Sequence, residues 1–210
     1  MSSIPTTGRT PEFLAKQFGY ISVEDMANSL KPNCLVFDIG AGKSQLGKII
    51  TTHRKDIKWL NIDPCYKNSK YINSHEQSNQ NLEFLSIDIT NKDDYDSSSF
   101  QQADYIFSYW LLPHLSSKTD EPAIKMIKSI HGLLATEGKM IIGPIKKIGF
   151  GFLSPWRYKS SVIFSKSDDL DTIIIELVKA TKLWFLPRII QDISNKHNIH
   201  IARYFVAYKK

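Results

Sequence analysis

Apolar residues fall into short unbroken runs, separated by longer stretches in which they recur every three or four positions. Leu35-Val-Phe-Asp-Ile39 is the first run, and a glycine turn closes it. Trp59 to Ile62, Leu82 to Ile87, Tyr105 to Ser108 and Met140 to Gly143 repeat the pattern. Continuous apolar runs of about four to eight residues mark strands covered on both faces, because neither side of such a strand meets water. The stretches between them predict helices. One spans about Gln45 to Thr52; another begins at Pro122, behind Asp120 and Glu121, and carries Ile124, Ile127, Ile130 and Leu134 before Gly138. Alternating strands and helices predict a parallel sheet wound by right-handed crossovers.

The flanks extend this core. Phe13, Leu14 and Phe18, then Val23, Met26 and Leu30, predict a helical cap over residues 1–30, ahead of a core at 31–143. Leu170, Ile173, Ile174, Leu177 and Val178 predict an amphipathic helix with Asp168 and Asp169 in its first turn. Ile201 to Tyr208 alternates as a strand does, whereas Pro187 excludes a central strand from 182–200 and Ile189, Ile190 and Ile193 there would serve a helix. At 210 residues the chain is read as a single α/β domain. The expected architecture is a Rossmann-like, doubly wound, mainly parallel sheet of about seven strands, with an antiparallel C-terminal strand from Arg203 to Tyr208.

Composition narrows the class. With 42% hydrophobic and 23% charged residues the chain has enough apolar content for a packed core, which excludes a disordered or fibrous protein. Its apolar runs are far too short to cross a bilayer, and Met1 to Thr10 holds no secretory-type run, so a cytoplasmic location is expected. Cys34 and Cys65 are read as reduced core residues. The polar run Asn91 to Ser99 reads as a loop.

The net charge of +6 is unevenly placed. Residues 1–138 hold 14 basic and 16 acidic side chains, and residues 139–210 hold 13 against 5. Residues 144–167 are set apart as a basic, aromatic substrate-cover segment, with Lys146, Lys147, Arg157, Lys159 and Lys166 interleaved among Phe150, Phe152, Trp156, Tyr158 and Phe164. Such a segment suits an anionic or aromatic acceptor, a nucleic acid or a membrane surface, or else is an ordinary solvated loop.

Chemistry concentrates in Asp38-Ile-Gly-Ala-Gly-Lys-Ser44, at the carboxyl end of the first strand, where open α/β sheets bind ligands. Gly40 and Gly42 allow a sharp turn and a close approach to the main chain. A phosphate-binding P-loop would need glycine where Phe37 stands, and the dinucleotide fingerprint would need it at Gln45. Acids follow the first three strands in turn: Asp38, Asp63 in Asn61-Ile-Asp-Pro64, and Asp88 in Ser86-Ile-Asp-Ile89. Three carboxylates at adjacent strand ends repel a phosphate and suit a ligand with a cationic end and hydroxyls.

On those residues the chain resembles class I S-adenosylmethionine-dependent methyltransferases. The resemblance covers about Leu35 to Gly143 and includes Ala103 to Leu115 as the fourth strand with its following loop, and Gly132 to Ile142 as the fifth. It implies S-adenosyl-L-methionine as cofactor, with the glycine loop of Asp38, Gly40, Gly42 and Lys43 around its methionine part. It further implies Asp63 on the ribose hydroxyls, Asp88 at the adenine amine with Ile89 flanking the ring, and Ser108 close to the cofactor. Ser44 stands where the family has a third glycine, and Thr136-Glu137 where it often has Pro-Gly. The [DN]-P-P-[YF] signature of adenine and glutamine amide methyltransferases is absent; Ser108-Tyr109-Trp110-Leu111 stands there.

The implied activity is transfer of a methyl group to an acceptor left open, expected to be a small molecule, by in-line displacement. His114 is the candidate base, since histidine titrates near neutrality; a packing role is the alternative. Tyr109, Trp110, His114, Trp156 and Arg157 are candidate acceptor contacts, with Tyr109 or Trp110 equally open to a core role. Lys43 is also open to a solvated role. No metal is expected, although His197 and His200 have a spacing that two ligands on a helix could use. A noncatalytic cofactor-binding protein and an NAD-dependent oxidoreductase are the rival functions.

Overall fold

A computed structural model describes residues 10–67, 79–91, 100–109, 121–143, 156–174, 196 and 201–207; for 156–162 and 201–207 only the backbone is described. Two short helices, α1 (Pro11–Gln17) and α2 (Val23–Ser29), precede β1 (Leu35–Ile39), α3 (Gln45–His53), β2 (Lys58–Ile62) and β3 (Leu82–Leu85). Then come β4 (Ala103–Tyr109), α4 (Glu121–Gly132), β5 (Leu134–Gly143), β6 (Trp156–Ser165) and β7 (Ile201–Ala207). The strands form one sheet in the order β3-β2-β1-β4-β5-β6-β7. Neighbours from β3 to β5 pair in parallel. The chain winds outward from β1 to β3 and resumes on the other side of β1 at β4, which makes the β1/β4 boundary the switch point where a crevice opens.

Both faces of the sheet are covered, as continuous apolar runs require. Phe37, Ile39, Leu60, Ile62 and Ile106 pack on one face with Met126 and Ile130 of α4 and with Ile173. Val36, Trp59, Tyr105 and Phe107 pack on the other with Phe18, Met26, Leu46 and Ile50 from the first three helices. The N-terminal cap is thus half of the core. Its helices start where the side chains permit: the Thr10 hydroxyl accepts from Phe13 N at 3.2 Å with Pro11 behind it, and Ser22 Oγ accepts from Asp25 N at 3.0 Å.

Three expectations need correction. The buried stripe of α4 is Ala123, Met126 and Ile130, with Ile127 packed partly buried against the core; Leu134 is no part of it, because the helix stops at Gly132 and Leu134 already opens β5. Between Leu134, which pairs with Ala103, and Lys139, which pairs with Tyr105, the residues Ala135 to Gly138 leave the register as a bulge, so the Thr-Glu-Gly stretch is a detour within the strand.

The second correction concerns the basic segment. Trp156 to Ser165 is β6, a strand antiparallel to β5, so the solvated-loop alternative does not hold for these residues. Its aromatic and β-branched residues favour a pleated strand more strongly than its lysines favour a loop. The third follows from the second: β7 pairs antiparallel with β6, so β6 is the reversed strand and β7 runs in the direction of β1 to β5. Ile142 is the last residue of β5 that pairs with β6, opposite Val162, while β6 continues back to Trp156 beside Ala207. Residues 156–160 therefore run past Gly143 as a two-stranded arm, about 17 Å long at ~3.4 Å per residue, at the carboxyl end of the parallel strands.

One close approach fixes α3 on the sheet. A Cβ at Gly47 would lie 2.5 Å from Trp59 Nε1 and 2.9 Å from Ser44 Oγ, and Trp59 is fully buried. Gly47→Ala gains about 1 kcal/mol of helix propensity but overpacks a rigid site, which costs about 1–3 kcal/mol. Urea unfolding of this variant is expected to show a lower midpoint than wild type; an equal or higher midpoint would contradict the packing.

Candidate functional site

The crevice is built where β1 and β2 end and their turns interlock. Gly40 has φ 72° and Gly42 φ 55°, left-handed values that glycine adopts without a Cβ penalty. Gly40 N donates to Ile62 O at 2.8 Å, and the turn after β1 leans on the end of β2. Asp63 completes the join: its Oδ2 accepts from Gly42 N at 3.1 Å and its Oδ1 from Cys65 N at 2.9 Å, the latter capping a single 3₁₀ turn at Pro64–Tyr66. From that turn the Tyr66 hydroxyl donates to Gly42 O at 2.6 Å.

Ser44, at the family's third glycine position, has φ 46°. Its hydroxyl donates to Asn61 Oδ1, and Asn61 Nδ2 donates to Glu83 O at 2.9 Å. The serine thus occupies a conformation suited to glycine because its side chain is held by a buried amide, itself anchored to β3. Ser44 and Tyr66 were missed as structural parts of the site. Tyr66 stands three residues after Asp63, and the glycine-position mismatch at Ser44 was the signal that a compensating contact was needed.

Asp38 is the electrostatically unusual member. It pairs in register with Asn61 on one side and Phe107 on the other, only partly exposed, on the same side of the sheet as Trp59. Burial pushes its carboxyl from the ordinary 3.8 to about 7, and the neighbouring charge of Asp63 adds to the rise. The Trp59 indole N–H works the other way, at a geometry short of a proper hydrogen bond. Two acids therefore stand together at these strand ends, and among the described residues only Asp63 is held by main-chain N–H groups.

The remaining expected residues divide. Asp88 lies beyond β3, partly exposed, and its Oδ1 accepts from Thr90 N at 2.9 Å and Thr90 Oγ1 at 2.7 Å, while Ile89 is buried in the core beside Ile39 and Ile62. Lys43 sits partly exposed in the glycine loop. Ser108, opposite Ile39 at the end of β4, is fully buried, and its hydroxyl has no hydrogen-bond partner. Tyr109 is buried in the core: it packs edge-on to Phe13 and Phe18 and donates to Gln17 Oε1 at 2.8 Å. Trp110, His114, His197 and His200 lie outside the described residues, and Trp156 and Arg157 are placed by their backbone alone. Cys34 is buried, Cys65 is partly exposed, and both are free thiols. Among the described residues no helix is long and apolar enough to cross a membrane, and no group of three metal-ligating side chains occurs.

No protein-family model and no curated protein matches the sequence. Solved structures are similar in fold. A chain of a fibrillarin/Nop5p complex has a TM-score of 0.48 at 12% identity, over 71% of this chain and 62% of that one. The plantazolicin methyltransferase BpumL, solved with a desmethyl-plantazolicin analogue and S-adenosylhomocysteine, has a TM-score of 0.47 at 19% identity, over 67% and 50%. Coclaurine N-methyltransferase, bound to N-methylheliamine and S-adenosylhomocysteine, has 0.46 at 14% identity over 59% of this chain, and the chain spans 36% of its length. Likenesses this distant carry no argument about the site, which rests on its own geometry.

Two outcomes follow from that geometry. Because Asp63 satisfies two partly buried N–H groups, Asp63→Ala is expected to cost the ligand-free protein about 1–3 kcal/mol in denaturant unfolding; unchanged stability would mean that the two turns are joined by other contacts. For Asp38 the folded pKa lies above the unfolded one. Between about pH 4 and 7 the folded state then keeps a proton that the unfolded state has lost, and stability declines as pH rises through that window. Asp38→Asn should therefore stabilise the ligand-free protein more at pH 8 than at pH 5, measured by thermal melts. A gain independent of pH would contradict the assignment.

Proposed function

We propose that the crevice binds S-adenosyl-L-methionine and that the protein transfers its methyl group to an acceptor held beyond the ends of β4 and β5. The observation that carries this reading is the desolvated carboxyl of Asp38 beside Asp63 at a glycine turn. A site that concentrates acid where a ligand meets the main chain is adapted to a positive ligand, and the pyrophosphate of NAD would face both acids. The left-handed glycines fit the same ligand, since main chain without a Cβ leaves room for a close approach. Asp63 would receive the ribose hydroxyls on lone pairs its main-chain bonds leave over, and Asp88 the adenine amine.

When bound, the cofactor supplies a methyl group on a sulfonium, whose sulfur keeps the bonding pair as the methyl passes to the acceptor's lone pair. The protein's part is alignment. Holding the two reactants in line is worth up to about 7–11 kcal/mol, so an acceptor that is already nucleophilic needs no base. For one that must lose a proton, His114 is the proposed base.

The acceptor is proposed to be a small molecule, anionic or aromatic in character. What supports this is the arm of β6 and β7, which runs past the end of β5 with Arg157, Lys159 and Arg203 in its two strands and no acid between 156 and 162 or 201 and 207. A longer anionic partner would meet the same arm.

Calorimetry with S-adenosylhomocysteine and with NAD tests the cofactor. Binding of the former and not the latter is expected, and the reverse would overturn the reading in favour of an oxidoreductase. Turnover is tested by homocysteine release across metabolites, RNA and protein extracts, a binder without turnover giving none. Once an acceptor is known, Arg157→Gln with Lys159→Gln should raise its KM and leave S-adenosylhomocysteine affinity unchanged, with an effect that shrinks as salt rises. Loss of cofactor affinity in that variant would contradict the placement of the arm.

A further inference from the structure

We infer that Asp38 is the specificity-determining residue of the crevice, a neutral acid in the empty site that gives up its proton when the cationic end of a ligand arrives and pairs with it as the anion. The inference rests on the proposed cofactor class and adds what the recognition consists of. Asp38 and Asp63 differ in how they are held. Asp63 accepts two main-chain N–H groups at 2.9 and 3.1 Å, which tie it to the two turns. Among the described residues Trp59 is the polar-hydrogen neighbour that Asp38 has, and it does not reach a proper hydrogen bond. Asp38, desolvated and without such donors, is the carboxyl that keeps a proton toward neutral pH.

Among the described residues Asp38 has no cation of its own. From β2 it is faced by its register partner Asn61 and by Trp59, from beyond the end of β2 by Asp63, and from β4 by the apolar Phe107. Lys43 is the cation of the glycine loop, partly exposed, while Lys48 and His53 of α3 and Glu12 and Lys16 of α1 are exposed on the outer sides of their helices. Asp88 stands beyond β3, two strands away from β1. A ligand cation entering the crevice therefore supplies the charge that Asp38 lacks. The balance is one proton released to solvent for each cation bound, and burial of the acid, which raises its pKa to about 7, sets the pH at which the exchange occurs.

Such an exchange predicts selectivity. A neutral nucleoside occupying the ribose and adenine positions leaves Asp38 protonated and gains nothing from it, while the same nucleoside with an ammonium-bearing tail draws the proton off. S-adenosylhomocysteine and adenosine are that pair of probes.

The test is isothermal calorimetry of the full chain with each probe between pH 5 and 8.5, in buffers of different ionisation enthalpy, which counts protons directly. S-adenosylhomocysteine is expected to release close to one proton at pH 6 and almost none at pH 8.5, with affinity rising nearly tenfold per pH unit below about 6.5 and levelling off above about 7.5. Adenosine is expected to bind with no such slope. Carbon-13 titration of the carboxyl should put the Asp38 midpoint near neutrality in the free protein and well below it in the S-adenosylhomocysteine complex, a readout that needs no variant. Asp38→Asn, if it still binds, should lose both the slope and the preference for the charged probe. Binding of S-adenosylhomocysteine with no proton release at pH 6, or an equal slope for adenosine, would overturn the inference while leaving the cofactor reading intact. No binding of S-adenosylhomocysteine at any pH would overturn both.

Discussion

A parallel sheet covered by helices on both faces can hold ionisable groups at the ends of its strands and almost nowhere else. Within β1 and β2 the inward positions are Val36, Phe37, Trp59 and Leu60, all buried in the two halves of the core. Burying a charge among them without a partner would cost several kcal/mol. The acids therefore appear where each strand gives way to a turn, and the turns have to be held in place by the acids' own hydrogen bonds. Asp63 does this for both turns at once, through Gly42 N and Cys65 N.

That join explains why the site is rigid and why it is also uncomfortable. Gly40, Gly42 and Ser44 all have positive φ, and Asn61 and Tyr66 hold the turn in that shape from below. The same closeness brings Asp38 within reach of Asp63's charge, and a carboxyl in that position keeps its proton toward neutral pH. On the proposed reading, function and stability pull in opposite directions at this residue: an apolar or amide side chain there would favour the empty fold, and the acid serves a positive ligand.

The strands of the parallel half were legible because burial on both faces leaves an unmistakable run; Leu35–Ile39 needed no adjustment at either end. Boundaries were poorer where a residue type conflicts with its context. Glu137 and Gly138 read as the end of a helix because a charged residue and a glycine look like punctuation, yet they sit in a bulge of β5. Trp156 to Ser165 was set apart by its charge and given no strand because its lack of acid drew attention away from its strand-forming residues, and the reversal of β6 was assigned to β7 for the same reason. At the site, the acids after successive strands were visible from residue type and spacing. Tyr66, Asn61 and the role of Gln17 as partner of Tyr109 were not, because each depends on a contact between segments that only the folded sheet brings together.

The central claim is that one ligand-binding crevice is formed by the interlocked turns after β1 and β2, adjoining the end of β3. Amide hydrogen exchange of the full chain with and without S-adenosylhomocysteine tests it most directly. Added protection is expected over Gly40 to Ser44, Asp63 to Tyr66 and Ser86 to Asn91, with the amides of α1 and α2 little changed. Protection confined to other segments, or none at saturating ligand, would contradict the account.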